Sequence, residues 1–111
     1  MKIFNNIFLR KKILIYGLGK SGISSYKFLK NKSDVYLFDD NQKIKLKFIN
    51  KIIGLKEIQK INFDIIIISP GIDIAKCKLS KFLKKNLQKI YTDLDVLFSF
   101  YNNESITITG T

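Results

Sequence analysis

The sequence is 111 residues long and 46% hydrophobic, which suffices for one domain with a packed core and is too short for a two-domain enzyme. Its single cysteine excludes an internal disulfide framework, and the lack of histidine excludes histidine-based metal sites and histidine acid–base catalysis. The formal net charge is +11, but the basic residues are lysines with a single arginine, spread over predicted helices and loops, which argues against a nucleic-acid interface.

Strand and helix patterns alternate along the chain, as in a parallel sheet covered by helices on both faces. The first half predicts strand one at 12–16, a helix at about 21–29 and strand two at 34–38. Residues 42–62 are harder to interpret, and within them we predict a short strand at 51–54 and a turn of helix near Glu57.

The second half begins with the clearest strand, at 63–68, whose continuous β-branched run indicates burial on both faces. The segment Ser69-Pro70-Gly71 ends it, because proline lacks a ladder donor and glycine permits positive φ. A lysine-rich helix at 79–87, strand four at 89–91, a helix that Asp93 can cap and that runs to about 101, and strand five at 105–109 follow. We therefore predict an α/β, Rossmann-like fold with five parallel strands, as one domain over 1–111 with its body at about 8–104.

A glycine-rich loop of the form G-x-G-x-x-G lies between strand one and the first helix, and it comprises Gly17, Leu18, Gly19, Lys20, Ser21 and Gly22. Gly17 permits the tight turn, Gly19 lets the backbone approach phosphates, and Gly22 allows close helix–strand packing. The positive end of the helix dipole favours an anion here. For Lys20 alone, a solvated surface lysine is about as plausible as a phosphate contact.

Two further loops follow strand ends and should meet the glycine loop at the carboxyl edge of the sheet. Asp39 and Asp40 end strand two, where an acid can accept hydrogen bonds from a ribose or a base. An ordinary turn is the alternative for these acids. The Ser69-Pro70-Gly71 segment either only ends its strand or turns the backbone N–H of Gly71 toward the same ligand.

These segments together resemble the N-terminal domain of the D-glutamate-adding Mur ligases of peptidoglycan synthesis. The resemblance covers about 8–111 and is carried, in chain order, by residues 13–22, 37–40, 68–72, 93–98 and 106–111. Two segments depart from the family pattern. Lys76-Cys77 stands near the place of a usual His-Pro pair, and Thr92–Val96 replaces a usual Gly-Asp-Ile-Glu-Leu with a shorter carboxylate.

The resemblance implies that this domain binds the UDP part of UDP-N-acetylmuramoyl-L-alanine. Leu18, Lys20 and Ser21 would face the diphosphate, and Asp39 and Asp40 would contact the uridine. Ser69, Pro70 and Gly71 would line the same site. Residues 105–111 would be the strand that leads into a missing ATP-binding domain, with Thr109, Gly110 and Thr111 as the first residues of the ATP loop.

The same resemblance implies an ATP-dependent amide-bond-forming ligase whose full-length form uses ATP, Mg²⁺ and D-glutamate. No catalytic or metal residue is expected in this chain, so we expect it to be inactive alone. Two alternatives stay open: a small NAD-binding Rossmann domain of an oxidoreductase, and a non-catalytic remnant. We expect a cytoplasmic monomer without membrane contact, because no apolar run approaches the ~20 residues that span a bilayer and no secretory signal is present.

Overall fold

The computed structural model describes residues 7–40 and 52–101, which form an α/β sheet with helices on both faces. The strands are β1 (Lys12–Tyr16), β2 (Asp34–Phe38), β3 (Ile65–Ile68) and β4 (Ile90–Thr92). The helices are α1 (Lys20–Leu29), α2 (Leu55–Lys60), α3 (Ser80–Lys85) and α4 (Asp93–Tyr101), with a 3₁₀ turn at Leu87–Lys89. The predicted fold class is confirmed.

All strand pairs are parallel, in the order β2-β1-β3-β4. β1 and β3 are central and apolar on both faces, because parallel strands covered by helices on each side must bury alternate residues in both directions. Four strands lie within the described residues. The predicted strand five at 105–109 lies outside them.

Alternate residues of each strand pack into two different hydrophobic cores, one on each face of the sheet. One core lies under α1 and α4 and includes Ile13, Ile15 and Leu29. The other lies under α2 and α3 and includes Leu14, Tyr16 and Phe38. This division follows from the two-residue period of a strand, and it determines which face each residue at a strand end can reach.

Several element bounds differ from the sequence prediction by one or two residues, as helix and strand ends commonly do. β3 begins at Ile65, not at residue 63, and the predicted helix 79–87 ends at Lys85 before the 3₁₀ turn. The predicted strand at 51–54 is represented by a parallel bridge between Ile52 and Leu37. The helix predicted near Glu57 is α2.

The predicted cap of the last helix is wrong by one residue. Thr92, not Asp93, occupies the capping position: the Asp95 N–H donates to Thr92 Oγ1 (3.3 Å) and the Thr92 N–H donates to Asp95 Oδ2 (2.9 Å). This reciprocal pair is a capping box, in which each side chain satisfies a backbone donor of the other residue. Asp93 therefore lies in the first helical turn, and its carboxylate is not used as the cap.

None of the helices among residues 7–40 and 52–101 is long and apolar enough to cross a membrane.

Candidate functional site

The glycine loop and the end of β2 are joined at the carboxyl edge of the sheet. The Gly17 N–H donates to the Phe38 carbonyl (2.9 Å), which continues the β1–β2 ladder by one residue. Beyond it, the Leu18 N–H donates to Asp39 Oδ2 (2.7 Å). A carboxylate that accepts a backbone N–H makes a charge-assisted bond. The structure thus brings Asp39 into the glycine loop, as the sequence predicted.

Two glycines of this loop are required by contacts. Gly17 has φ +101°, and a Cβ built on it would lie 2.6 Å from Ser69 Oγ. A Cβ on Gly22 would lie 1.9 Å from the Gly17 carbonyl oxygen, so α1 can pack this closely only with glycine there. Ser69 Oγ in turn donates to the Gly17 carbonyl (3.3 Å). The loop after β3 therefore supports the glycine loop directly.

The first turn of α1 faces the open side of the loop. A Cβ on Gly19 would meet nothing within 4 Å, and Lys20 is exposed. Ile23 is the first α1 residue whose N–H bonds back along the helix, to the Gly19 carbonyl (3.0 Å). The N–H groups before it point toward the helix end and carry the positive end of the helix dipole. This arrangement suits an anion such as a diphosphate.

Asp40 has different hydrogen-bond partners from those of Asp39. The Tyr16 hydroxyl donates to Asp40 Oδ1 (2.5 Å), and the Lys78 Nζ donates to the Asp40 carbonyl (3.1 Å). Asp39 and Asp40, which follow the end of β2, thus have partners on opposite faces of the sheet, since Leu18 belongs to the core under α1 and α4 and Tyr16 to the core under α2 and α3. The family resemblance implied that both acids contact uridine, and the structure gives the Asp40 carboxylate a protein partner. Its contact with uridine stays a prediction.

Tyr16 and Lys78 were missed as members of this cluster by sequence reasoning. Burial raises the pKa of the Tyr16 hydroxyl well above its ordinary value of 10.0, and the hydrogen bonds to Asp40 and Cys77 raise it further. The phenol therefore stays protonated and acts as a donor. The one available signal was a tyrosine at the end of an otherwise aliphatic strand.

The Ser69-Pro70-Gly71 segment forms a turn at the same edge, closed by the Ile72 N–H on the Ser69 carbonyl (3.1 Å). Pro70 and Gly71 are exposed, and a Cβ on Gly71 would meet nothing within 4 Å. Among the described glycines, only Gly17 has positive φ. Gly71 therefore does not use the positive φ that glycine permits, and its predicted place in the site rests on its exposure in the loop after β3.

A groove of about 350 Å³ runs between α1 and α4 from the same edge. Its lining residues are Ser21, Ser24, Ser25, Phe28, Asp93, Val96 and Leu97. Within the described residues, Asp93 Oδ1 is buried without a hydrogen-bond partner. An unpaired buried acceptor costs about 1–3 kcal/mol, so such an atom calls for an explanation. Sequence reasoning missed this groove because it depends on which helices are neighbours in space.

The predicted start of the ATP loop is not placed by the structure. The ATP-loop residues Thr109, Gly110 and Thr111 lie outside the described residues. Within residues 7–40 and 52–101, no group of three His, Cys, Asp or Glu side chains is arranged to hold a metal ion.

Comparison with known proteins gives a consistent result. Residues 11–91 match the family model of the Mur ligase MurD-like N-terminal domain. The UDP-N-acetylmuramoylalanine–D-glutamate ligases of Rickettsia felis and Rickettsia prowazekii are each 38% identical over 96% of this chain and 25% of their own length. The ligase of the same name from Aquifex aeolicus is 32% identical over 90% of this chain and 22% of its own length. The chain thus spans about a quarter of the length of these relatives.

Among solved structures, UDP-D-quinovosamine 4-dehydrogenase from Vibrio fischeri aligns over 75% of each chain with 19% identity and a TM-score of 0.49.

Proposed function

Since the chain belongs to the family of Mur ligase MurD-like N-terminal domains, we propose that it binds the uridine diphosphate part of UDP-N-acetylmuramoyl-L-alanine. The observation that carries this proposal is the bond from the Leu18 N–H to Asp39 beside the open first turn of α1. That bond fixes the loop so that the helix N-terminus faces outward. The name of the relatives supplies the substrate, and the geometry supports an anion subsite at this helix end.

In this proposal the diphosphate lies over Gly19 and the first turn of α1, and Lys20 adds a point charge from the exposed side. The nucleoside lies toward the end of β2, where Asp39 and Asp40 are. Gly71 borders the site from the β3 side. The three loops thus bind and orient the substrate, and none of their side chains carries out a chemical step.

A protein of the relatives' full length would act as a ligase that joins D-glutamate to the alanine carboxylate of this substrate. In that reaction ATP with Mg²⁺ supplies the phosphoryl group that activates the carboxylate. We propose that the 111 residues alone catalyse no step, because they correspond to only about a quarter of the length of the ligases that they resemble.

Calorimetric titration of the 111-residue chain with UDP and with NAD⁺ tests the proposal. We expect UDP to bind and NAD⁺ not to bind. The Asp39→Ala substitution should weaken UDP binding about tenfold or more, because the Leu18 N–H loses its acceptor, while Asp39→Asn should retain part of the affinity through its amide oxygen.

Asp64→Ala is a matched control. Asp64 Oδ2 also accepts a backbone N–H, from Lys12 (2.9 Å), but it lies where β1 and β3 begin, at the opposite edge of the sheet. It should leave UDP affinity unchanged. Binding of NAD⁺ without UDP would replace the proposal with a dinucleotide site, and equal losses of UDP affinity in Asp39→Ala and Asp64→Ala would show that Asp39 has no specific part in binding.

A further inference from the structure

The helices on the two faces of the sheet carry different charges. α2 and α3 pack on the core that contains Leu14 and Tyr16, and together they hold five lysines and one glutamate, a formal charge of +4. α1 and α4 pack on the opposite core and together hold two lysines and two aspartates, a formal charge of zero. Among the described helices, the positive charge of the chain is therefore concentrated on one face.

We call the exposed lysines of α2, of α3 and of the loop between β3 and α3 the lysine face. The loop belongs to it because Ile72 packs against the same core as the two helices. The members of the lysine face are Lys56, Lys60, Lys76, Lys78, Lys81, Lys84 and Lys85. These segments contain two acids, and both already accept backbone N–H groups: Glu57 from Gly54 (3.1 Å) and Asp73 from Ala75 (2.9 Å). The surface is thus strongly positive, and it attracts anionic partners.

The side chains of this surface favour an anionic lipid membrane over a nucleic acid. All its cations are lysines, which act as point charges and lack the planar fork with which arginine reads bases and pairs with phosphates. The one aromatic residue in these segments, Phe82, is half-buried, so the surface offers no exposed ring on which a base could stack. Two leucines beside the lysines are exposed instead, Leu55 by 42% and Leu87 by 56%. Lysines next to exposed leucines are typical of surfaces that lie on a membrane.

We propose that the lysine face binds peripherally to membranes that contain anionic phospholipids, with its lysines beside the lipid headgroups and Leu87 in contact with the outer part of the acyl region. Each lysine near a negatively charged leaflet adds to the affinity, and the attraction weakens as salt shortens its range. The expectation of no membrane contact rested on the lack of a spanning segment, which peripheral binding does not require. This proposal is independent of nucleotide binding.

Co-sedimentation of the 111-residue chain with lipid vesicles tests the proposal. At a salt concentration of about 100 mM, we expect binding to vesicles of phosphatidylcholine and phosphatidylglycerol in equal amounts and no binding to pure phosphatidylcholine. The double substitution Lys84→Gln and Lys85→Gln should lower the partition coefficient about tenfold or more, because two charges beside the lipid are lost. Leu87→Ser should lower it about threefold or more, because an apolar contact is lost.

The double substitution Lys27→Gln and Lys30→Gln is the matched control. Both of these exposed lysines lie at the end of α1, on the opposite face of the sheet. The control removes the same charge and the same favourable placement of lysine near a helix C-terminus as the Lys84 and Lys85 variant does. It should keep the partition coefficient within about twofold, since its lysines face away from the lipid. Melting temperatures of all variants show whether each one is folded.

Three outcomes would overturn the proposal. The first is no binding to vesicles that contain phosphatidylglycerol. The second is an equal loss in the two double variants, because the total charge and not the lysine face would then cause binding. The third is binding to a short DNA duplex as tight as that to vesicles, with Leu87→Ser changing neither, which would make a nucleic acid the partner. None of these measurements contains UDP, so their results leave the proposed function to its own test.

Discussion

The two sides of the sheet's carboxyl edge are built differently. On the β1–β2 side, five residue pairs are in register and two side-chain bonds, Leu18 N–H to Asp39 and Tyr16 hydroxyl to Asp40, extend the connection past the strand ends. On the β3–β4 side, three pairs are in register and every residue of β4 is only half-buried. The β1–β2 side is therefore held in place by its own contacts, whereas the β3–β4 side is more open.

The β4 side also presents apolar surface. Leu94 is 53% exposed and Phe98 is 56% exposed on α4, and Asp93 keeps an unpaired buried oxygen. A preformed anion site needs rigid backbone donors, which the β1–β2 side supplies. The proposed anion site therefore lies on the side of the sheet that the chain's own contacts hold in place.

The largest expected effect compares the two sides directly. Leu14→Ala, at a fully buried position of β1, should lower the free energy of unfolding by about 2–5 kcal/mol, because it removes core volume that the surroundings cannot refill. Ile90→Ala, at half-buried β4, should cost only about 1 kcal/mol. Urea denaturation measures both. Equal costs would show that the β4 side is as firmly packed as the β1 side.

A second prediction sharpens the comparison within the glycine loop. Gly22→Ala should destabilise the chain by about 2–3 kcal/mol and abolish UDP binding, because its Cβ would overlap the Gly17 carbonyl. Gly71→Ala meets open space and should change the unfolding free energy by less than about 0.5 kcal/mol. Thermal unfolding and calorimetry would show this difference, and a stable Gly22→Ala variant that binds UDP would contradict it.

The smallest expected effect concerns pH. The folded-state pKa of Tyr16 is raised above 10.0, so the stability that its neutral hydroxyl contributes is complete below about pH 10 and declines as pH rises further. Tyr16→Phe removes this decline. The difference in unfolding free energy between the two chains should be about 1 kcal/mol at pH 8 and should shrink above pH 10.

Tyr36→Phe provides the comparison for the pH experiment. The Tyr36 hydroxyl donates to Asp34 (3.1 Å) at the exposed start of β2. Because Tyr16 is intact in this variant, the alkaline decline should persist. If the unfolding free energies of Tyr16→Phe and Tyr36→Phe show the same pH dependence, the bond between Tyr16 and Asp40 is not the cause of the alkaline loss of stability.

Short sequence patterns predicted those parts of the molecule whose structure depends on residues close together in the chain. The β-branched run of β3 predicted a buried strand, and the spacing of Gly17 and Gly22 predicted a tight strand-to-helix turn. Both structures depend mainly on residues that are close together in the sequence. The opposite orientations of Asp39 and Asp40 could have been inferred from the strand period, yet their partners depend on the register between β1 and β2. The groove at Asp93 depends on α1 and α4 being neighbours, and residue patterns do not encode that adjacency.

The pair of acids at the end of β2 has one more consequence. A shift of β2 by one residue against β1 would break the bonds that these acids accept from the Leu18 N–H and the Tyr16 hydroxyl, and it would turn every apolar residue of β2 to the wrong core. The two bonds therefore accompany the register that buries the apolar residues of β2. The hydrogen bond of the protonated Tyr16 hydroxyl therefore forms only when β1 and β2 pair in the observed register. Its signal in an NMR spectrum would report correct strand alignment during refolding.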